Sequence, residues 1–351
     1  MVHADVVTTP TRPASATSSD HVALGIWLPG LVGLAAIWGC SFVFIEVGIR
    51  ELHPTYVTLG RVLTGAITLL IILGITRQSL PRSPRLWAHL FLLGGIGVAL
   101  PFTLFGYGEQ RVPSLLAGIW NGTTPLVVLP LAVLVFRTER LTIYRLAGLV
   151  LGFVGGLTVL GVWRGVGGGE LTGQMLCLAA AACYGVAIPY QKRFIADAKE
   201  SGPALSAGML IAAVVQLLVV APLIAGAPPN PTDLSFKVVA SVVALGALGT
   251  GVAFVIHMHN IRLIGASRAS MVTYLVPVFA VTVGILVLGE SVTWYQPLGA
   301  LIVLAGVAVS HGPRTPAPHV EPEPEPVVAP DCSSPYDGQV DEAEGEPQPA
   351  G

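Results

Sequence analysis

Apolar residues gather along this chain into ten stretches separated by short polar joints, lying at 27–49, 55–75, 86–107, 113–136, 143–163, 171–190, 204–226, 236–257, 266–288 and 294–310. A helix rises about 1.5 Å per residue and the hydrocarbon of a bilayer is about 30 Å thick, so stretches of this length predict membrane-crossing helices. The last is short and contains Pro297. Residues 1–26 are rich in Thr, Ser, Ala and Pro, and the apolar run after them is too long for the core of a cleaved signal, so it should stay attached as the first span.

Composition agrees with this pattern. The chain has 351 residues, 53% apolar and 11% charged, with 41 glycines and a mean hydropathy of +0.74. A soluble domain carries roughly 25% charged residues. Such a surface is kept out of aggregates by lipid, which excludes a conventional soluble enzyme and predicts an all-α polytopic membrane protein. Four cysteines without CxxC spacing suggest small buried thiols.

The net charge of -2 conceals two regions of opposite sign. Residues 311–351 hold nine acids, ten prolines and one base, and predict a disordered acidic tail, whereas the first 310 residues hold 17 bases and 11 acids. The joints after spans 2, 4, 6 and 8 carry 11 bases, among them Arg82, Arg137, Lys192 and Arg262, against 4 in the opposite joints. Loop bases stay in the cytoplasm. Both termini are therefore expected there, in a protein of the cytoplasmic membrane. Trp27, Trp87, Trp163 and Trp294 fall at span ends, where an indole suits the headgroup boundary. Trp38 and Trp120 sit near mid-membrane, where each donor needs a partner.

The chain also repeats itself. Glu139-Arg-Leu-Thr-Ile-Tyr-Arg-Leu-Ala-Gly148 is echoed by Glu290-Ser-Val-Thr-Trp-Tyr-Gln-Pro-Leu-Gly299, an E-x-[LV]-T-x-Y-x-x-x-G pattern, with further glycines at Gly155 and Gly306. Pro125 in span 4 corresponds to Pro277 in span 9, and Trp38-Gly39 in span 1 to Tyr184-Gly185 in span 6. The expected division is a first five-helix unit at 27–163 and a second at 171–310. Five is odd, so the second unit crosses the bilayer upside down relative to the first. An inverted repeat lets two halves exchange conformations, the geometry of alternating access.

These residues resemble the ten-span EamA-type carriers of the drug/metabolite transporter superfamily. The resemblance covers residues 27–310 and rests on Trp38-Gly39 with Ser41, Arg61 early in span 2, Pro125 and Pro277, Gly289-Glu290, and Gly148 and Gly299. Two positions depart from it: Arg137-Thr138-Glu139 lacks the glycine before its acid, and Tyr184 stands where tryptophan is common. The resemblance implies export of amino acids, related metabolites or drugs without nucleotide hydrolysis.

A carrier needs polar groups near the midplane on helices that can break or approach closely. Trp120, Asn121 and Thr124 share a face just before Pro125, which leaves a carbonyl one turn back without its helical donor. Ser270, Thr273 and Tyr274 hold the matching face before Pro277. Trp38 and Ser41 in span 1, Phe102 in span 3, Tyr184 in span 6, and Thr250, Phe254 and His257 in span 8 complete a candidate substrate lining, though rings also fill gaps between helices. Glu46 and Arg61 are intramembrane ions at similar depth on adjacent helices. They read either as a gate, with Arg61 taking a substrate carboxylate or pairing with Glu46, or as a structural salt bridge. Glu139 and Glu290 precede spans 5 and 10, where acids suit the helix dipole, and Thr293 with Gln296 fits a capping box. Glycines 148, 152, 155 and 156, with Ala247 and Gly251, predict close helix contacts, within the chain or in a homodimer.

Gly165-Val-Gly-Gly-Gly-Glu170 lacks the Gly-Lys-Ser/Thr of a phosphate loop, so any driving force is a substrate or ion gradient. Neither HExxH nor an aspartate-rich motif occurs in the spans, which argues against the rival reading, an intramembrane lipid or prenyl transferase, and against a metal or cofactor. A non-transporting scaffold is the third class. Expected partners are a small-molecule substrate and the bilayer, with no nucleic acid.

Overall fold

Inside hydrocarbon a backbone must satisfy its own N–H and C=O groups, so each apolar stretch becomes a helix. The computed structural model describes residues 24–135, 142–161, 163, 168–195, 198–269 and 272–310, and among them there is no strand. The readings made for the chain before residue 24, for the acidic tail, for Glu139 and for Ser270 lie outside the described residues.

Span 1 is α1 (Leu24–Gly48), span 2 is α2 (Pro54–Ile75), and span 3 is α3 (Pro84–Gly94) continued through a π turn, Gly95–Ala99, into α4 (Leu100–Glu109). Span 4 is broken into α5 (Ser114–Asn121) and α6 (Thr124–Leu134). Span 5 is α7 (Ile143–Leu160), span 6 is α8 (Gly168–Phe194) and span 7 is α9 (Gly202–Ala225). Span 8 runs from α10 (Phe236–Gly246) through a second π turn, Ala247–Val252, into α11 (Ala253–Ala269). Spans 9 and 10 are α12 (Val272–Leu288) and α13 (Tyr295–Ser310).

Capping residues set several of these starts. Ser83, Thr142, Ser201 and Ser235 each accept the backbone N–H three residues on, and Pro54, Pro84 and Pro203 occupy first-turn positions where no donor is lost. Gly161 (φ 60°) and Gly289 (φ 68°) end α7 and follow α12 in the left-handed region open to glycine.

Among the described residues seven helical stretches are long and apolar enough to cross a membrane, and shorter apolar helices fill spans 9 and 10. Span 8 differs from expectation. Its helix continues to Ala269, through the joint expected at 258–265, which contains polar residues and Gly265 but no proline to stop it. Large apolar side chains face outward all along the bundle, including Leu223 at 80% and Leu286 at 77% exposure, as a lipid-facing surface requires.

The two π turns fall at equivalent places, in the third helix of each repeat. Gly95 and Ala247 are separated by 152 positions, as are Pro125 and Pro277. Helix contacts obey the same twofold relation. Span 1 packs on span 9 as span 6 packs on span 4; span 2 packs on span 8 as span 7 packs on span 3; spans 5 and 10 pack on each other. Glycines make these contacts close. A Cβ on Gly39 would lie 2.9 Å from the Ala280 nitrogen, and one on Gly185 would lie 2.9 Å from the Val127 Cβ. Gly155 faces the Gly299 carbonyl at 2.9 Å and Gly306 faces the Gly148 carbonyl at 2.7 Å on the same construction, so the repeated glycines interlock across spans 5 and 10. The described residues therefore form an all-α bundle of ten spans in two inverted five-helix repeats.

Candidate functional site

Where the repeats meet, a basic side chain is buried. Arg61 in span 2 is 7% exposed, its Nε donates to Thr250 Oγ1 at 3.0 Å, and its guanidinium lies 3.7 Å from the centre of the Phe102 ring. Thr250 sits in the π turn of span 8, so the hydrogen bond joins the two repeats. A Cβ on Gly246 would run into the Arg61 carbonyl, and Thr250 is one helical turn further along span 8. The guanidinium therefore reaches about one turn, ~5 Å, deeper than its own backbone. It thereby lies near the middle of the bundle, level with Gly65, farther from the end that carries Glu46, Glu109 and Glu290; the other end, with Arg82, Arg85 and Arg193, is called the basic end below.

This placement revises the expected pairing of Arg61 with Glu46. The Glu46 carboxylate lies 3.6 Å from Arg50 one turn along its own helix, and no carboxylate among the described residues is within 4.0 Å of Arg61. Arg61 turns away from the depth of Glu46, and Thr250 and Phe102 hold it. Both contacting partners are neutral, so the guanidinium is held without an ion pair at contact distance, and a cation in a dry interior costs several kcal/mol unless a counter-charge is near.

Around this group stand several of the sequence candidates. Phe102 forms its floor, and Ser41 from span 1 abuts Gly249 beside Thr250, its hydroxyl donating to the Ile37 carbonyl at 2.9 Å. Tyr184 packs against the cluster that contains Phe102 and lies 6.3 Å ring to ring from Phe105, which packs edge-on against Phe42 at 5.5 Å. Trp38 lies against the His257 ring at 5.3 Å. Spans 1, 2, 3 and 8 thus pack around Arg61, with Tyr184 of span 6 against the same apolar cluster.

Span 4 does something else. Trp120 is buried, donates its Nε1–H to Gln174 Oε1 at 3.0 Å and lies against Gly156, so it packs toward spans 5 and 6. The carbonyl that Pro125 deprives of a donor belongs to Asn121, and Thr124 Oγ1 takes it at 2.7 Å; Thr123 Oγ1 does the same for the Trp120 carbonyl. The expectation of free carbonyls offered to a ligand is corrected on this point: neighbouring hydroxyls satisfy them locally, a common way for a membrane helix to tolerate a break. Pro125 lies in the first turn of α6. Pro277 stays within an unbroken α12, buried where a Cβ on Gly122 would touch its Cγ, so the break in span 4 meets span 9 at this proline. The side chains of Thr273 and Tyr274 lie outside the described residues.

The expected capping reading of Glu290 also changes. Its two oxygens accept the backbone N–H groups of Ser114 and Leu115, at 2.7 and 3.0 Å, so it caps span 4 of the other repeat. For span 10 the cap is Gln296, whose Oε1 accepts the Thr293 N–H at 3.1 Å.

One residue was missed from the sequence. Glu109, the last residue of span 3, is 4% exposed, and neither carboxyl oxygen has a hydrogen-bond partner. It borders a cavity of about 570 Å³ lined also by Glu46, Ile49, Arg50, Gln110 and Arg111. Its position just beyond the apolar run 86–107 made it read as a joint residue; the signal that was available is the Pro113 that starts the next helix four residues later, leaving little room for a solvated loop.

Comparison with known proteins agrees with this architecture. Residues 25–161 and 171–311 each match the family described as the EamA-like transporter family. The chain is 29% identical over 282 residues to the uncharacterized transporter YoaV of Bacillus subtilis, covering 79% of this chain and 94% of that protein. It is 27% identical to a protein of Streptantibioticus cattleyicolor named "Probable terminal-alkyne amino-acid exporter", covering 80% and 91%. A third relative, of Salmonella typhimurium, is named "Probable amino-acid metabolite efflux pump" and is 24% identical, covering 79% and 92%. A solved structure titled "Crystal structure of protein" shares the fold at TM-score 0.57 and 20% identity, covering 80% of this chain and 94% of its own.

Proposed function

The chain belongs to the EamA-like transporter family, and we propose that it is a secondary carrier exporting amino-acid-like or other small carboxylate-bearing metabolites by alternating access. The observation that carries this reading is Arg61, a buried cation at the seam of two inverted repeats with a hydroxyl and a ring for neighbours and no carboxylate at ion-pair distance among the described residues. A substrate carboxylate supplies the missing charge, and Thr250 and Ser41 add hydroxyls beside it. Phe102, Phe105 and Tyr184 offer apolar surface to the rest of the molecule. The names of two relatives, an amino-acid exporter and an amino-acid metabolite efflux pump, support the same substrate class.

In this reading the basic end faces the cytoplasm, since loop bases are retained there, and both termini lie on that side of the cytoplasmic membrane. Exchange between the repeats carries the seam from one face to the other. Spans 5 and 10, interlocked through glycines, stay together while the remaining spans rock. Purified protein in liposomes loaded with an unlabelled amino acid tests the reading: saturable uptake of the same labelled amino acid, across a panel, is the expected result. Absence of counterflow for every amino acid and small carboxylate tried contradicts it.

A further inference from the structure

At the basic end a second cavity, of about 440 Å³, lies between span 3 of the first repeat and span 6 of the second. Arg85 and His89 line it from span 3, and Arg193 and Phe194 from the last turn of span 6. Both arginines are exposed, and among the described residues no carboxylate lies within 4.0 Å of either. Glu200, on the same wall, stays outside that distance. Two cations thus face one hollow with a single acid against them in its described lining. A guanidinium fork matches two oxygens of a phosphate, so a pair of them favours a phosphate ester.

Span 6 also holds the imidazole in place. His89 Nδ1 lies 2.7 Å from the Tyr190 hydroxyl, and the Phe194 ring stacks on His89 with centroids 5.5 Å apart. In the tautomer that accepts from Tyr190, Nε2 carries the proton and can donate to a ligand.

The level of the cavity says where such an ester comes from. Trp87, whose Nε1–H donates to the Pro81 carbonyl at 2.9 Å, stands between Arg85 and His89 in the chain and marks the headgroup boundary that an indole favours. One turn deeper the surface is apolar: Leu92, three residues beyond His89, is 44% exposed, and Val186, four before Tyr190, is 38% exposed. Leu86 and Phe194 add apolar walls to the cavity itself. A soluble phosphate gains nothing from this slope, whereas acyl chains cover it.

We infer that this cavity binds an anionic phospholipid, its phosphate between Arg85 and Arg193 beside His89 and its chains along Leu92 and Val186. Two cations against one acid favour a headgroup with net negative charge over a zwitterionic one, and a basic recess between membrane helices at headgroup depth suits it. The two arginines belong to different repeats, so the lipid bridges the repeats at their basic ends. Whatever the seam around Arg61 binds, this site is separate from it in residues and in ligand.

The test titrates the full chain in detergent micelles with lipid and weighs the intact complexes by native mass spectrometry. Phosphatidylglycerol should bind about tenfold or more tightly than phosphatidylcholine with the same chains. Arg85→Ala combined with Arg193→Ala should bring the two lipids to within about twofold of each other, with an unfolding midpoint near that of the parent because both side chains are exposed. Arg77→Ala combined with Arg82→Ala removes the same charge from the same end, outside the cavity lining, and should leave the preference within about twofold of the parent. Glycerol phosphate, which carries the ester without the chains, should not displace the lipid at matching concentration. A parent that binds both lipids alike, or an Arg85 and Arg193 variant that keeps the preference, overturns the proposal. Equal loss in both variants does so too, since it makes the preference a property of the whole basic surface. Displacement by glycerol phosphate at matching concentration assigns the cavity to a soluble phosphate ester and overturns the lipid.

Discussion

Arg61 of the first repeat donates its Nε–H to Thr250 Oγ1 of the second across 3.0 Å, inside the π turn that interrupts span 8. A π turn admits an extra residue into the helix and turns a side chain off the regular i+4 register, and such turns gather at functional sites. Here the displaced residue is the one that fixes a buried guanidinium, and the mate of this turn, Gly95–Ala99, packs against span 7 in the symmetric position.

If that guanidinium receives a substrate carboxylate, its planar fork matters as well as its charge. Arg61→Lys keeps the charge and loses both the fork and the stacking on Phe102. Counterflow by this variant should fall about tenfold or more in transport rate at sub-saturating substrate. Thr250→Val removes one neutral-to-charged hydrogen bond and should raise KM about tenfold with a smaller change in maximal rate.

Glu290 holds the start of span 4 from the opposite repeat. Glu290→Ala leaves the Ser114 and Leu115 N–H groups without an acceptor in a partly buried position. Loss of two charge-assisted bonds predicts a cost of about 2–3 kcal/mol, read as a lower midpoint of thermal unfolding in detergent. KM in the surviving folded protein should stay near that of the parent, since Glu290 is engaged with backbone.

The glycine interlock of spans 5 and 10 admits no side chain. A Cβ on Gly155 would sit 2.6 Å from the Val303 nitrogen and 2.9 Å from the Gly299 carbonyl, both backbone atoms that cannot swing aside. Gly155→Val is expected to cost about 3 kcal/mol through forced separation of the helices. Size-exclusion profiles and unfolding midpoints check this. Gly156→Ala, facing only the edge of Trp120 at 3.9 Å, should be tolerated.

Glu51, in the exposed joint between spans 1 and 2, accepts the Ser235 N–H at 2.8 Å at the start of span 8, and this bond holds its carboxyl below the usual carboxylate range. A group with a lowered folded-state value stabilises the fold above its unfolded value and loses that contribution as the pH falls through the folded one. The stability difference between the parent and Glu51→Gln should therefore be full at neutral pH and fall progressively as the pH drops below the free glutamate value of about 4.3, with unfolding midpoints followed across an acid titration.

The spans were legible because hydrocarbon leaves the backbone one solution, and the repeat because Glu139 to Gly148 and Glu290 to Gly299 keep both identity and spacing. The glycines of spans 5 and 10 were legible as contact positions, though their spacing gave no sign of which helix they would meet. Side-chain direction was harder. Trp120 and Asn121 share a face with Thr124 on any helical wheel, yet the helix breaks at Gly122 and Thr123, so they no longer belong to one helix, and Trp120 meets Gln174. Arg61 was placed by the depth of its Cα, and its reach carried the charge a turn further, past Glu46 to Thr250. Glu109 lay at the edge of an apolar run, where sequence alone does not separate a residue in solvent from a buried one.

The central claim is that the seam around Arg61 opens to each face in turn, and Thr250 marks it. In a background freed of native cysteines, Thr250→Cys in oriented vesicles should react with a membrane-impermeant thiol reagent added from either side, and a transported amino acid should slow both reactions. Reaction from one side only, or from neither with the protein still folded, would contradict the account.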